Sequence, residues 1–156
     1  MYGLVPYNIS PIQQGIQFGH AVVEYALKHS KDPLYLEWAR SHKTFIILNG
    51  GTTNNNAERL GTMQSHLMEL QANKIKLASF SEPDLNDTLT AVVFLVDERV
   101  FDKKKYPDHQ EAFEFSPFLT GDQRRRNEEH FAAWEKSMGD SKNIFLREFL
   151  KPLRLA

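Results

Sequence analysis

The run Thr88-Leu89-Thr90-Ala91-Val92-Val93-Phe94-Leu95-Val96 constrains this chain more than any other segment. It carries no charge and is rich in β-branched and apolar residues, the pattern of a strand buried on both faces at the centre of a sheet. Such a strand needs paired neighbours on either side and packed layers above and below. Three other segments supply neighbours. Residues 2–7 are short and apolar and contain Pro6, which suits a first or edge strand. Lys43-Thr44-Phe45-Ile46-Ile47-Leu48-Asn49 stops at Gly50-Gly51 and reads as a buried strand. Ile75, Leu77 and Phe80 alternate with small or polar residues, as in a half-buried strand.

Helical patterns separate these strands. Ser10-Pro11 pairs a capping hydroxyl with a proline where no N–H is needed, so a helix starts there and runs to about residues 28–30. Along it Ile12, Ile16, Val23 and Leu27 recur at helical spacing, and Gln13, Gln17, His20 and Glu24 form a second stripe. That polar stripe is either the solvated face or the floor of a site, with Gly15 and Gly19 permitting close approach. Asp32-Pro33 opens a short helix through Ala39. Residues 52–56 form a polar loop, after which Leu60, Met63, Leu67 and Leu70 mark an amphipathic helix ending near Asn73. The order predicts an α/β fold: a four-stranded mixed sheet packed by helices on both faces. A helical crossover joins the second and third strands, and a short connection joins the last two. This core is expected over residues 1–97. Residues 98–156 are expected to form an irregular segment and C-terminal helices, at 123–138 and 141–150, that pack on it.

Charge and cysteine usage narrow the function. The chain has no cysteine, which removes disulfides, thiolate metal sites and a cysteine nucleophile. Lys and Arg number 19 against 20 Asp and Glu, so nucleic-acid contact falls to local patches rather than a uniformly basic surface. Two exist, Lys103-Lys104-Lys105 and Arg124-Arg125-Arg126, the second followed by Glu128 and Glu129 and reading first as a solvated helix face. No segment approaches the roughly 20 apolar residues of a membrane span, so no membrane contact and a cytoplasmic location are expected. His29, His42, His66, His109 and His130 show no ligand spacing, so neither a metal nor a cofactor is expected.

Three groups carry candidate chemistry. Gln13, Gln17 and His20 offer amide donors and an imidazole, although Gln13 stands where a glutamine completes a capping box with Ser10. Glu82, Asp84 and Asp87 fall in an acidic turn before the long strand, where a carboxylate could orient water and where turn chemistry is the alternative. Gly50, Gly51, Thr52 and Thr53, followed by Asn54, lie between a strand and a helix and could hold a phosphate on backbone N–H groups; a plain loop is the alternative.

Gln17-Phe18-Gly19-His20-Ala21, behind an opening strand, resembles the type II peptidyl-tRNA hydrolases, whose first helix carries Lys-x-x-Ala-Gln-x-x-His-Ala. Gln17, His20 and Ala21 keep that motif, while Gln13 takes the place of its lysine. Residues 43–96 match the family's succession of strand, helix, strand, acidic turn and final strand, with Glu82 or Asp84 standing for its aspartate and Thr88 or Thr90 for its threonine. The likeness spans the first three-fifths of the chain and is nearest to the branch encoded by tailed bacterial viruses, which would place the protein in a host cytoplasm. It implies an aminoacyl- or peptidyl-tRNA ester hydrolase, or a binder of an RNA 3′ end, and a possible homodimer. His20, Glu82, Asp84 and Thr90 would form the catalytic set. Gln13, Gln17, Gly50, Gly51, Thr52 and Thr53 would contact substrate. Two other outcomes stand beside it: a nucleotide-binding module that sequesters or degrades a host nucleotide signal, and a host-protein adaptor acting through the C-terminal helices.

Overall fold

The computed structural model describes residues 1–54 and 60–156. Within them the chain is α/β, with four strands in one mixed open sheet and six α-helices among the described residues. Asn55 and Asn56, the end of the expected polar loop, lie outside the described residues. Two compact units divide the chain: Met1–Leu95 with Pro152–Ala156, and Val96–Lys151.

The first unit holds the sheet. Strands β1 (Tyr2–Val5), β2 (Ile46–Asn49), β3 (Leu77–Glu82) and β4 (Thr88–Phe94) are ordered β2-β1-β4-β3. β1 runs parallel to β2, and β4 is antiparallel to both β1 and β3. The uncharged run is therefore internal, as expected, and residues 89–94 are buried.

Consecutive strand residues point to opposite faces, which shows where the helices lie. A Cβ on Gly3 would overlap the ring of Phe18, from helix α1 (Pro11–His29). Leu4, the next residue, lies beside Gly50, and a Cβ there would overlap Met63 of helix α3 (Thr62–Ala72). So α1 and α3 cover opposite faces. Both parallel strands thus deliver their carboxyl ends to one sheet edge, and the chain leaves that edge towards opposite faces. Such an edge is where open α/β sheets place ligands.

Helix α1 starts as its cap predicts: Ser10 and Gln13 form a reciprocal capping box ahead of Pro11. Its buried side, however, consists of Gln17, Phe18, Ala21 and Tyr25, while Ile12, Ile16, Val23 and Leu27 all point outward and are exposed. The regular apolar spacing marks the outer face. Phe18, Ala21 and Tyr25 pack instead with Val5, Ala78, Ala91, Val93 and Leu95. Helix α2 (Pro33–Glu37) is capped by Asp32, whose carboxylate also meets Lys76, and it closes in a π-turn over Trp38–His42. Tyr25, Tyr35, Trp38, Phe45 and Phe18 then form a chain of ring contacts 5.3–5.9 Å apart between centroids.

The last residues return to this unit. Leu155 bridges Leu48, Asn49 N–H donates to Arg154 O at 2.8 Å, and Ala156 N–H donates to Ile47 O at 3.0 Å. The free side of β2 is thereby covered, which removes an exposed strand edge.

The second unit contains helices α4 (Glu98–Phe101), α5 (Gly121–Met138) and α6 (Ser141–Leu150). Residues 102–120 carry no regular structure, in agreement with their prolines and charge. Arg147 of α6 anchors them. Its buried guanidinium donates to Tyr106 O at 2.7 Å, to Asp108 Oδ1 at 3.1 Å and to Arg99 O. Asn127 of α5 clamps Phe113 through both its N–H and its carbonyl.

Candidate functional site

The polar flank of α1 meets the end of β3. Gln17 is only 6% exposed, and its amide Nε2 donates to Glu82 Oε2 at 2.5 Å. Its Oε1 accepts from Thr90 Oγ1 at 2.9 Å. The orientation is chemically determined: an ionised carboxylate only accepts, so the NH2 must face Glu82, and the amide oxygen must then face a donor. Phe80 O, 3.3 Å from the Thr90 hydroxyl, is its alternative acceptor.

A register shift makes the contact to Thr90 possible. Phe80 pairs with Ala91 but Ser81 pairs with Leu89, leaving Thr90 as an extra residue in β4. Strict alternation would place Thr90 with Val92 and Phe94, away from Ala91 and Val93, which pack against α1. The bulge turns the hydroxyl towards α1 instead, as bulges beside functional sites do.

His20, one turn after Gln17, lies with its ring 4.5 Å from that of Phe80, and Phe80 precedes Glu82 by two residues on the same strand. Further along, His29 Nε2 lies 3.3 Å from Leu77 O. Helix α1 therefore runs antiparallel along β3, so that positions 17 and 20 of the helix match 82 and 80 of the strand. Phe80 was legible only as a packing residue; its place beneath His20 depends on that pairing.

The remaining expected residues are placed differently. Glu82 is not in the turn: β3 extends to it, and it pairs with Thr88. Thr90, expected in the catalytic set, is fully buried with its hydroxyl directed to Gln17 Oε1, where it positions the amide. Asp84 sits exposed in a 3-10 turn over Pro83–Leu85. Asn86 and Asp87 follow with φ of 55° and 54°, the left-handed conformation that these residue types tolerate, so Asp87 serves the turn. Gln13 Oε1 accepts from Ser10 N at 3.1 Å, which commits that end of the side chain to the cap.

In the loop after β2 the backbone N–H groups of Gly50, Gly51, Thr52 and Thr53, which could have held a phosphate, are bonded within the protein. Gly50 N–H donates to Val5 O at 2.8 Å, Gly51 N–H to Asn49 Oδ1 at 2.8 Å, and Thr52 N–H to Thr62 Oγ1 at 2.7 Å. Thr53 N–H reaches Asn8 Oδ1 at 3.4 Å, and Asn54 N–H reaches Thr52 Oγ1 at 3.1 Å. Among the described residues each backbone N–H from Gly50 to Asn54 thus donates within the protein. Asn8, which no sequence pattern singled out, holds this loop to the segment before α1.

The basic runs in the second unit are largely paired locally. Lys103 meets Asp108 at 2.8 Å, Lys105 meets Glu98 at 2.7 Å, and Arg125 lies between Asp122 and Glu129. Trp134 Nε1 donates to Pro107 O at 3.0 Å, and its ring packs with His109 and Phe131. Among the described residues no group of three His, Asp or Glu side chains could hold a metal ion, and no helix is long and apolar enough to cross a membrane.

Fold and site together define an α/β protein with a mixed open sheet and a glutamine–carboxylate–threonine relay at one sheet edge. No protein-family model and no curated protein matches the chain.

Proposed function

We propose that the protein hydrolyses the ester joining a peptide or aminoacyl group to the 3′ end of tRNA, with Glu82 as the proton acceptor. The supporting observation is the Gln17 bridge, which holds one oxygen of Glu82 and is itself held by Thr90. With Oε2 fixed, Oε1 is the atom that takes the proton from an attacking water. Attack on the ester carbonyl forms a tetrahedral oxyanion. Collapse expels the ribose oxygen, which takes up the proton from Glu82. His20, beside Phe80 on the same flank, and Gln13, one turn before Gln17, are the donors assigned to the oxyanion. Gln13 supplies a neutral dipole where a lysine would supply a charge, so slow turnover is expected.

Peptidyl-tRNA ester loss in the presence of the full chain tests this reading. Glu82→Gln is expected to lower kcat about 100-fold or more, and His20→Ala about 10-fold or more. Thr90→Val is expected to lower kcat, with recovery in Thr90→Ser, because the hydroxyl acts through Gln17. Absence of turnover at high protein concentration rejects hydrolysis. Retained tRNA binding in that case would leave the protein as a binder of RNA 3′ ends.

A further inference from the structure

We propose that the free edge of β3 is a peptide-binding site, on which the peptide carried by the substrate lies as an added parallel strand with its ester carbonyl at Glu82. The inference rests on the hydrolase reading and adds the atoms that hold the acyl chain.

Hydrogen-bond parity decides which groups this edge presents. Ile46 N–H donates to Met1 O at 3.0 Å, Gly50 N–H to Val5 O at 2.8 Å, and Tyr7 N–H to Gly51 O at 2.8 Å. Met1, Val5 and Tyr7 therefore face β2, and the alternate residues Tyr2 and Leu4 face β4. Their partners Phe94 and Val92 face back to β1, which leaves Val93 and Ala91 to bond Ala78 and Phe80. Leu77, Ser79 and Ser81 accordingly turn their N–H and C=O groups outward. Leu77 O agrees with this direction: it accepts from Lys28 Nζ at 3.3 Å, and His29 Nε2 lies 3.3 Å from it.

The edge is open and unguarded. Ser79 and Ser81 are exposed, and among the described residues nothing bonds their outward backbone groups. Sheet edges are ordinarily blunted by charge, by proline or by a covering segment. The opposite edge, β2, is covered by residues 154–156. From residue 77 to residue 81, β3 carries neither charge nor proline.

Position fixes the occupant and its direction. Ser81 is followed directly by Glu82, the proton acceptor, so a chain laid on this edge ends its ladder beside the reacting carboxylate. The acyl chain is the part of the substrate that repeats amides, and its ester lies at its carboxyl end. For that end to reach Glu82 while the remainder pairs with Ser81 and Ser79, the chain must run in the direction of β3. The pairing is therefore parallel, and each outward serine bonds the partner residues on either side of its opposite. Ser81 O accepts from the N–H of the first, ester-bearing residue, and Ser81 N–H donates to the carbonyl of the third. Ser79 O accepts from the N–H of the third residue, and Ser79 N–H donates to the carbonyl of the fifth. Leu77 O is already occupied, so the ladder closes there. Every bond is to main chain, which makes binding indifferent to peptide sequence, and a bare aminoacyl group forfeits all but the first. The added strand lies in the plane of the sheet, beside α1 rather than over it, and leaves His20 and Gln13 uncovered.

Ester turnover by the full chain, with tRNA carrying N-acetylated chains of one to six residues, tests this. KM should fall as the acyl chain grows to five residues and stay level beyond, with kcat unchanged. N-methylation of the third residue's amide should raise KM about 10-fold, by removing an N–H and crowding Ser79 O. The same change on the second residue, whose N–H points away, should leave KM unaltered. Ser79→Pro removes an outward N–H at an edge position, where proline is tolerated. It should raise KM for five-residue chains and not for three-residue ones, with an unchanged circular dichroism spectrum, while Ser79→Ala should match the unaltered chain. Turnover with a KM indifferent to chain length, or equally sensitive to methylation at the second and third residues, overturns the edge site and leaves hydrolysis standing. Absence of turnover from every substrate removes the hydrolase reading and this site with it.

Discussion

Gln17 and Glu82, 65 residues apart in the chain, are joined by a 2.5 Å hydrogen bond from amide Nε2 to carboxylate Oε2. This bond ties the first helix to the end of the third strand and gives the only polar residue on the buried side of α1 a charged partner. Buried amides are tolerated when both ends are satisfied, and here both are.

Two substitutions measure the bridge. Gln17→Leu keeps the bulk but loses both bonds. Thr90 retains Phe80 O and half-buried Glu82 can turn to water, so a cost of about 1–2 kcal/mol in urea unfolding is expected. Gln17→Glu sets two carboxylates within bonding distance, so one keeps its proton to a higher pH when folded. A raised folded-state pKa contributes stability at low pH that is lost as pH rises through it. The gap between Gln17→Glu and the unaltered chain should therefore widen from pH 4.5 to pH 7.5. An equal gap at both values would contradict the bridge.

Gln13→Lys separates chemistry from capping. The lysine cannot accept from Ser10 N, so the capping box is lost and about 0.5–1 kcal/mol of stability with it. A cation beside the developing oxyanion should nevertheless raise ester turnover, by about 10-fold. Lower stability with faster hydrolysis is the expected combination. Lower stability with unchanged or slower hydrolysis would remove Gln13 from the site.

The features that could be read in advance are those decided by near neighbours in sequence. Ser10 with Gln13 and Asp32 with Pro33 are local capping chemistry, and each helix begins one residue after its cap; α5, expected from residue 123, begins at Gly121 behind a Thr120 cap that the pattern did not single out. Gly50-Gly51 likewise ends β2. The features that escaped depend on pairing across long separations. The bulge at Thr90 exists only in the register of β4 against β3. The inward face of α1 is chosen by the ring of Phe18 over Gly3 and by Gln17 finding Glu82, which outweigh the regular spacing of Ile12, Ile16, Val23 and Leu27. In the loop at residues 50–54 composition suggested available N–H groups, but Asn8, Asn49 and Thr62 occupy them. The one-turn helix α4 rests on a single cap from Asp97 to Arg99 N–H, too short for any periodicity to reveal.

Gly3→Ala tests the packing of α1 on the sheet. The added Cβ would overlap the Phe18 ring, and Val93 Cγ1 lies 3.0 Å from the same point. The helix must shift or the ring must leave its rotamer, so a loss of about 1–3 kcal/mol is expected. Adding Phe18→Leu should recover part of it, a coupling that a double-mutant cycle reads directly.

Arg147→Met tests the anchor of the second unit. Tyr106 O and Arg99 O would lose their donor, at a cost of about 2–4 kcal/mol. Arg147→Lys should recover little, since one ammonium cannot span three acceptors arranged for a fork. Limited proteolysis should then cut within residues 102–120 at protease levels that leave the unaltered chain intact.

His66 gives a pH dependence with a definite sign. Burial pushes its imidazole below the ordinary value of 6.5, the desolvation outweighing the opposing pull of Glu69. Below 6.5 the unfolded chain therefore binds the proton more readily than the folded one. Stability is complete above that value and declines as pH falls through the folded pKa. Asp32 and Asp108 act in a lower window. The hydrogen bond from Lys76 holds Asp32 below its ordinary value, and the hydrogen bond from Lys103 does the same for Asp108, so their contribution is lost only as pH falls below about 4. Urea midpoints between pH 7.5 and pH 5 thus isolate the histidine from both carboxylates. His66→Gln, which cannot titrate, should show a smaller decline over that interval than the unaltered chain; an equal decline would mean that His66 carries no part of it.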